Sequence, residues 1–158
     1  MATEIERKFL VNGTAWRQPH PVQFRQGYLN RDRERTVRVR VAGEQAFLTI
    51  KGLTQGISRA EFEYAIPVSD AEQLLQLCQG PLIEKARHVV VVNGTTWEVD
   101  EFFGDNAGLF VAEVELESEE QSFDRPDWLG TEVTQDPRYY NSNLATRPYS
   151  SWRMGTAV

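Results

Sequence analysis

Residues 83–103 read IEKARHVVVVNGTTWEVDEFF, two alternating runs joined by Asn93-Gly94. That dipeptide favours a two-residue hairpin turn with positive φ at both central positions, and such a turn fixes the register of the strands on either side. Arg87 then falls opposite Asp100, Val89 opposite Glu98 and Lys85 opposite Phe102. The basic side of one strand and the acidic side of the next therefore share a face.

The same alternation recurs along the chain. In 3–10, Glu4, Glu6 and Lys8 oppose Ile5 and Phe9; in 36–42, Arg38 and Arg40 oppose Val37, Val39 and Val41. Thr49 and Lys51 oppose Leu48 and Ile50, Glu61 and Glu63 oppose Phe62 and Tyr64, and Glu113, Glu115 and Glu117 oppose Val114 and Leu116. Successive side chains of a strand point to opposite faces, so each run carries one charged and one apolar face. An even loop at Gly43-Glu44 puts Arg38, Arg40, Thr49 and Lys51 together. Eight strands are predicted, over 3–10, 22–29, 36–42, 45–52, 59–66, 83–92, 95–103 and 109–117. A helix is predicted over 69–79, with Ser69 and Glu72 as a capping box and Gly80 as its stop. A second is predicted near 136–145, capped by Asp136 with Pro137 in its first turn, and the tail after Pro148 reads as irregular.

With 158 residues, 41% hydrophobic and 25% charged, the chain reads as one globular β-rich domain over 1–158. No apolar run is long enough for a bilayer span and the start has no secretory segment, so a soluble cytoplasmic protein without membrane partners is expected. The single cysteine, Cys78, fits that compartment and removes zinc or redox pairs. A net charge of -6 argues against nucleic acid as a partner.

A charged sheet face ordinarily meets water. Here, however, one sign repeats within each strand, and like charges two residues apart sit about 6 to 7 Å from one another. Eight strands can close into a barrel, and helices with apolar stripes need the apolar face, which leaves the charged face inside. The lumen then holds six basic and nine acidic groups, a surplus of three negative charges. So many charges cannot pack dry. A hydrated tunnel is expected, with divalent metal needed to bring in a polyanion.

The ordered series Glu4-x-Glu6-x-Lys8, Gln26-Gly27-Tyr28, Arg38 with Arg40, Lys51, Glu61 with Glu63, Lys85 with Arg87, Glu98 with Asp100, and Glu113 with Glu115 resembles the CYTH superfamily, or triphosphate tunnel metalloenzymes. The resemblance spans nearly the whole chain. It implies an α+β, mainly β fold: an eight-stranded antiparallel closed barrel with a charged lumen and helices outside. It also implies phosphate binding and catalysis by Lys8, Arg38, Arg40, Lys51, Lys85 and Arg87, with Tyr28 as a further substrate contact. Glu4, Glu6, Glu61, Glu63, Glu113 and Glu115 would hold one or two Mg²⁺ or Mn²⁺ ions. Glu98, Asp100 and Glu117 would ligate metal or orient the arginines.

The implied activity is metal-dependent hydrolysis of a small triphosphate substrate, foremost inorganic tripolyphosphate to pyrophosphate and orthophosphate. Alternatives are a nucleoside or thiamine triphosphatase, a class IV adenylyl cyclase, and a non-catalytic polyphosphate binder. A homodimer is a further expectation from the resemblance. His20 and His88 lack partners at ligand spacing, Cys78 reads as helix-face core, and the Arg31, Arg33, Arg35 run reads as a solvated loop, with an anion funnel at the tunnel mouth as the other option.

Overall fold

A computed structural model describes the backbone of residues 3–156 and the side chains of residues 3–152. Eight strands form the barrel: β1 (Thr3–Val11), β2 (Val22–Asn30), β3 (Arg35–Ala42), β4 (Gln45–Gly52), β5 (Ser58–Ile66), β6 (Gln79–Val92), β7 (Thr95–Phe102) and β8 (Phe110–Glu115). All their pairings are antiparallel, and closure comes from β1, which pairs with both β5 and β8. The turn between β6 and β7 forms as its sequence demands: Asn93 and Gly94 take φ of 50° and 80°, and Arg87 pairs with Asp100. Across β3 and β4, Arg38 pairs with Thr49, so those charged faces also coincide.

A ninth strand, β9 (Leu129–Glu132), was not predicted. It lies beside the end of β1, pairing Phe9 with Glu132 and Val11 with Leu129. Four residues with no apolar alternation carry too little periodicity to read. Gly130 suits the place, because a Cβ there would lie 2.9 Å from the Leu10 carbonyl oxygen.

The helical expectations need three corrections. Helix α1 runs Val68–Leu75 rather than 69–79, its N-cap is Pro67 with no side-chain cap bond, and Glu72 pairs with Arg25 at 2.5 Å instead of closing a capping box. Residues 79–82 belong to β6, and Gly80, at φ 75°, sits in a bulge where Gln26 pairs with Ile83 but Tyr28 with Gln79. Cys78 therefore lies beyond the helix, its Sγ close to where a Cβ on Gly27 would stand. In the second region, Asp136 does accept from the Arg138 amide, but this opens only a 3-10 turn at Pro137–Tyr139, followed by a single helical turn, α2 (Asn141–Leu144). Tyr140 is extended between them. The tail is helical as α3 (Tyr149–Thr156), held where Tyr149 and Trp152 stack edge-on to each other and Trp152 to Tyr139.

The apolar face lies outside the barrel and is covered in two patches. Helix α1 places Ala71 and Leu75 on Val39, Val41 and Ala46. Trp16, Phe123 and Trp128, from connecting segments, cover Phe9, Trp97, Val99, Ala112 and Val114. His88 belongs to this outer layer: it is buried, accepts from the Gln18 amide at 2.9 Å and meets the Trp16 ring edge-on.

A third apolar cluster is placed differently. Tyr28, Ile83, Phe102 and Val111 share the inward parity of the charged residues, and Val133, Tyr139, Leu144 and Ala145 pack on them. One end of the barrel is thus partly stoppered by the C-terminal segment. Among the described residues, no helix is long and apolar enough to cross a membrane.

Candidate active site

Alternation along seven of the strands brings thirteen groups to one cavity of about 260 Å³: Glu4, Glu6 and Lys8 of β1, Arg38 and Arg40 of β3, Lys51 of β4, Glu61 and Glu63 of β5, Lys85 and Arg87 of β6, Glu98 of β7, and Glu113 and Glu115 of β8; Asn141 of α2 completes the lining. Asp100 is fully buried just behind them. Glu117 lies past the end of β8, exposed, with its amide donating to Gln121. Tyr28 lines the neighbouring space at the stoppered end beside Lys8 and Arg38.

The charges are arranged in linked groups. Lys51 Nζ lies 2.8 Å from a Glu4 oxygen and 3.4 Å from Glu61. Lys8 Nζ bridges Glu113 at 2.8 Å and Glu6 at 3.1 Å. Arg87 makes a two-pronged contact with Asp100, both distances being 2.8 Å, and reaches towards Glu98 and Glu113. Lys85 Nζ lies 2.7 Å from the same Asp100 and donates to Asn141 Oδ1 at 3.1 Å. Arg38 donates to Thr49 Oγ1, which itself donates to Glu63.

Arg40 stands apart. Its Nε donates to Gln26 Oε1 at 2.9 Å and its guanidinium lies over the Phe24 ring, 4.6 Å from the centroid, with no carboxylate in contact among the described residues. Arg87 and Lys85 crowd the same ring. Burial and the Arg38 and Arg87 charges lower the pKa of Arg40, the mark of a cation held among cations. Arg38 Nε is likewise buried without a partner. Unpaired buried donors of this kind suit an anion with several oxygens.

The carboxylates show the opposite strain. Burial, reinforced by Glu113 and Glu4, pushes the Glu6 carboxyl up to about 8. Burial and neighbouring carboxylates also raise Glu61, Glu98 and Glu115. Burial opposes the charges on Glu113 and Asp100, but Lys8 and Arg87 hold the first well below the usual carboxylate range, and Arg87 and Lys85 lower the second. Among the described residues no three carboxylates converge as a finished cage. The donor set nonetheless suits a hard divalent cation of the Mg²⁺ type, which takes one or two carboxylates and completes its shell with water and phosphate oxygens.

Some of these neighbours were missed in the sequence. Gln26, quoted only as part of the motif series, and Phe24 share the inward parity of β2, and Arg59, which lines the space beside Lys8 and Arg38, has that of β5, so the signal for their place in the lumen is the same alternation. Asn141 had no such signal, because it comes from a segment that folds back on the barrel end and accepts there from both Gln26 and Lys85.

A family model for the CYTH domain matches residues 2–149. The chain belongs to the CYTH family. Its CYTH relatives include an inorganic triphosphatase of Acetivibrio thermocellus, 50% identical over 97% of this chain and 99% of that protein. An inorganic triphosphatase of Nitrosomonas europaea is 41% identical over 90% of this CYTH chain and 97% of its own length. In structure, the chain is similar to the inorganic triphosphatase NE1496, with a TM-score of 0.66 and 39% identity over 92% of this chain and 95% of that one.

Proposed function

We propose that this CYTH chain is a divalent-metal-dependent triphosphatase that cuts inorganic tripolyphosphate into pyrophosphate and orthophosphate within its lumen. The reading is carried by Arg38, whose buried Nε has no hydrogen-bond partner, and Arg40, which meets no carboxylate among the described residues, both lining the charged lumen. The nearly full-length likeness to inorganic triphosphatases supports it.

The chemistry needs little from the protein beyond position and charge. Arg38, Arg40, Lys51, Lys8, Lys85 and Arg87 clamp the three phosphate units and offset the charge that spreads over the transferred group. Tyr28 contacts the substrate at the stoppered end. Glu4, Glu6, Glu61, Glu63, Glu113 and Glu115 would hold one or two Mg²⁺ or Mn²⁺ ions, which supply charge neutralisation and a more acidic water. Glu98 and Asp100 orient Arg87, and Asp100 also fixes Lys85. Water adds to a terminal phosphorus, the bridging P–O bond breaks, pyrophosphate leaves, and the water's protons pass to solvent and products.

The test is product analysis with tripolyphosphate and with ATP, in Mg²⁺, in Mn²⁺ and in chelator. Orthophosphate release from tripolyphosphate that stops with chelator is expected. Cyclic AMP and pyrophosphate from ATP, without tripolyphosphate turnover, would replace this reading with a cyclase.

A further inference from the structure

The arginine run before β3 is divided by the structure. Arg35 is neutralised by Asp32 and lies 3.7 Å from Glu34. Arg31 and Arg33 instead line a cavity of about 210 Å³, together with Thr54, Arg59, Tyr140 and Ser142. The last four residues also line the space that reaches Glu6, Lys8, Arg38 and Lys51, so the cavity continues the lumen outward.

This outer cavity holds unanswered positive charge. Among the described residues, no carboxylate lies within ion-pair distance of Arg31, Arg33 or Arg59. Arg31 Nε is buried without a hydrogen-bond partner. The Arg59 guanidinium is braced by the Gly52 carbonyl at 3.1 Å and by Thr36 Oγ1 at 3.2 Å, a neutral support that leaves its charge available. In a chain of net charge -6, three guanidinium groups without a carboxylate partner around one cleft ask for an anion. Glu61, Glu63, Glu98 and Glu115 line the lumen but not this cleft. An anionic chain extending from the lumen would be repelled by those carboxylates and drawn towards the arginines.

We propose that Arg31, Arg33 and Arg59 form an outer anion subsite for the phosphate units of a linear polyphosphate longer than three, whose first units occupy the lumen. This rests on the triphosphatase reading and adds a determinant of chain length. The subsite contributes affinity only to substrates long enough to reach it, so it separates tetrapolyphosphate and longer chains from tripolyphosphate.

The test compares kcat/KM for tripolyphosphate and tetrapolyphosphate in wild type and in the R31A/R33A double variant, which spares the bracing role of Arg59. The expected result is a loss of about tenfold or more for tetrapolyphosphate, the worth of one or two charge-assisted hydrogen bonds, with tripolyphosphate nearly unchanged. Equal losses for both substrates would reduce the arginines to general attraction and overturn the subsite, as would no loss for either. If neither phosphate is hydrolysed, the triphosphatase reading fails, and calorimetric affinities of wild type and variant for the two phosphates in Mg²⁺ buffer decide the subsite by the same comparison.

Discussion

Lys85 Nζ and Asp100 Oδ2 lie 2.7 Å apart at positions without any solvent exposure, and Asp100 simultaneously takes both prongs of Arg87. One carboxylate thus serves two cations on β6. Burying such a cluster costs desolvation that the pairing must offset, so its removal leaves uncompensated charge in the barrel wall.

Replacing Asp100 by Asn keeps the shape and removes the charge. We expect D100N to lose about 3 to 5 kcal/mol of stability, the usual cost of breaking a buried ionic group. Urea denaturation monitored by circular dichroism measures it. A loss below about 1 kcal/mol, the range of an exposed pair, would mean that Asp100 is not the counterion drawn here.

Complete burial, only partly countered by Asp100, brings the Lys85 pKa down to about 7. The ammonium is therefore lost as pH rises through neutrality in the free enzyme, and with it one clamp on phosphate. Because kcat/KM reports ionisations of the free enzyme, it should fall on the alkaline side with a midpoint near 7. In K85R, whose guanidinium stays charged, the alkaline limb should move to higher pH. An unchanged limb in K85R would assign it to another group.

Glu4 lies 2.8 Å from Lys51 and beside the space shared with Glu6 and Glu113. In E4Q one anionic oxygen donor is lost while the side chain keeps its size. The metal concentration for half-maximal rate should rise by about tenfold or more, the scale seen when support of a metal site is removed. A titration curve that overlays wild type would exclude Glu4 from metal binding.

Phe9 sits on the outer face of the same strand that carries Glu4, Glu6 and Lys8 inward. It is fully buried and packs edge-on against Trp97 at 5.8 Å. F9A should cost about 3 to 5 kcal/mol by leaving a cavity beneath β1. Thermal denaturation of the variant checks it, and a shift of only a degree or two would contradict the packing.

Much of this architecture is legible in the sequence because register and chemistry reinforce each other. Asn93-Gly94 sets the pairing of Arg87 with Asp100, and the repeated sign of Glu4 and Glu6, or of Arg38 and Arg40, has no apolar use. What was not legible depends on tertiary packing. The short β9 has no period, and α3 is held by aromatic contacts across Tyr139, Tyr149 and Trp152. Asn141 reaches the lumen only because α2 folds over the barrel end. The helix over 69–79 was overextended because Gly80 reads equally as a helix stop and as a strand bulge; packing against Gly27 selects the bulge.

Arg38 and Arg40, the two lumen arginines of β3, are proposed to hold a triphosphate while it is hydrolysed. Phosphorus NMR of tripolyphosphate with Mg²⁺ follows substrate, pyrophosphate and orthophosphate in one sample. Wild type is expected to yield equimolar pyrophosphate and orthophosphate, and R38A/R40A with an intact circular dichroism spectrum almost none. Hydrolysis by the double variant at the wild-type rate would contradict it.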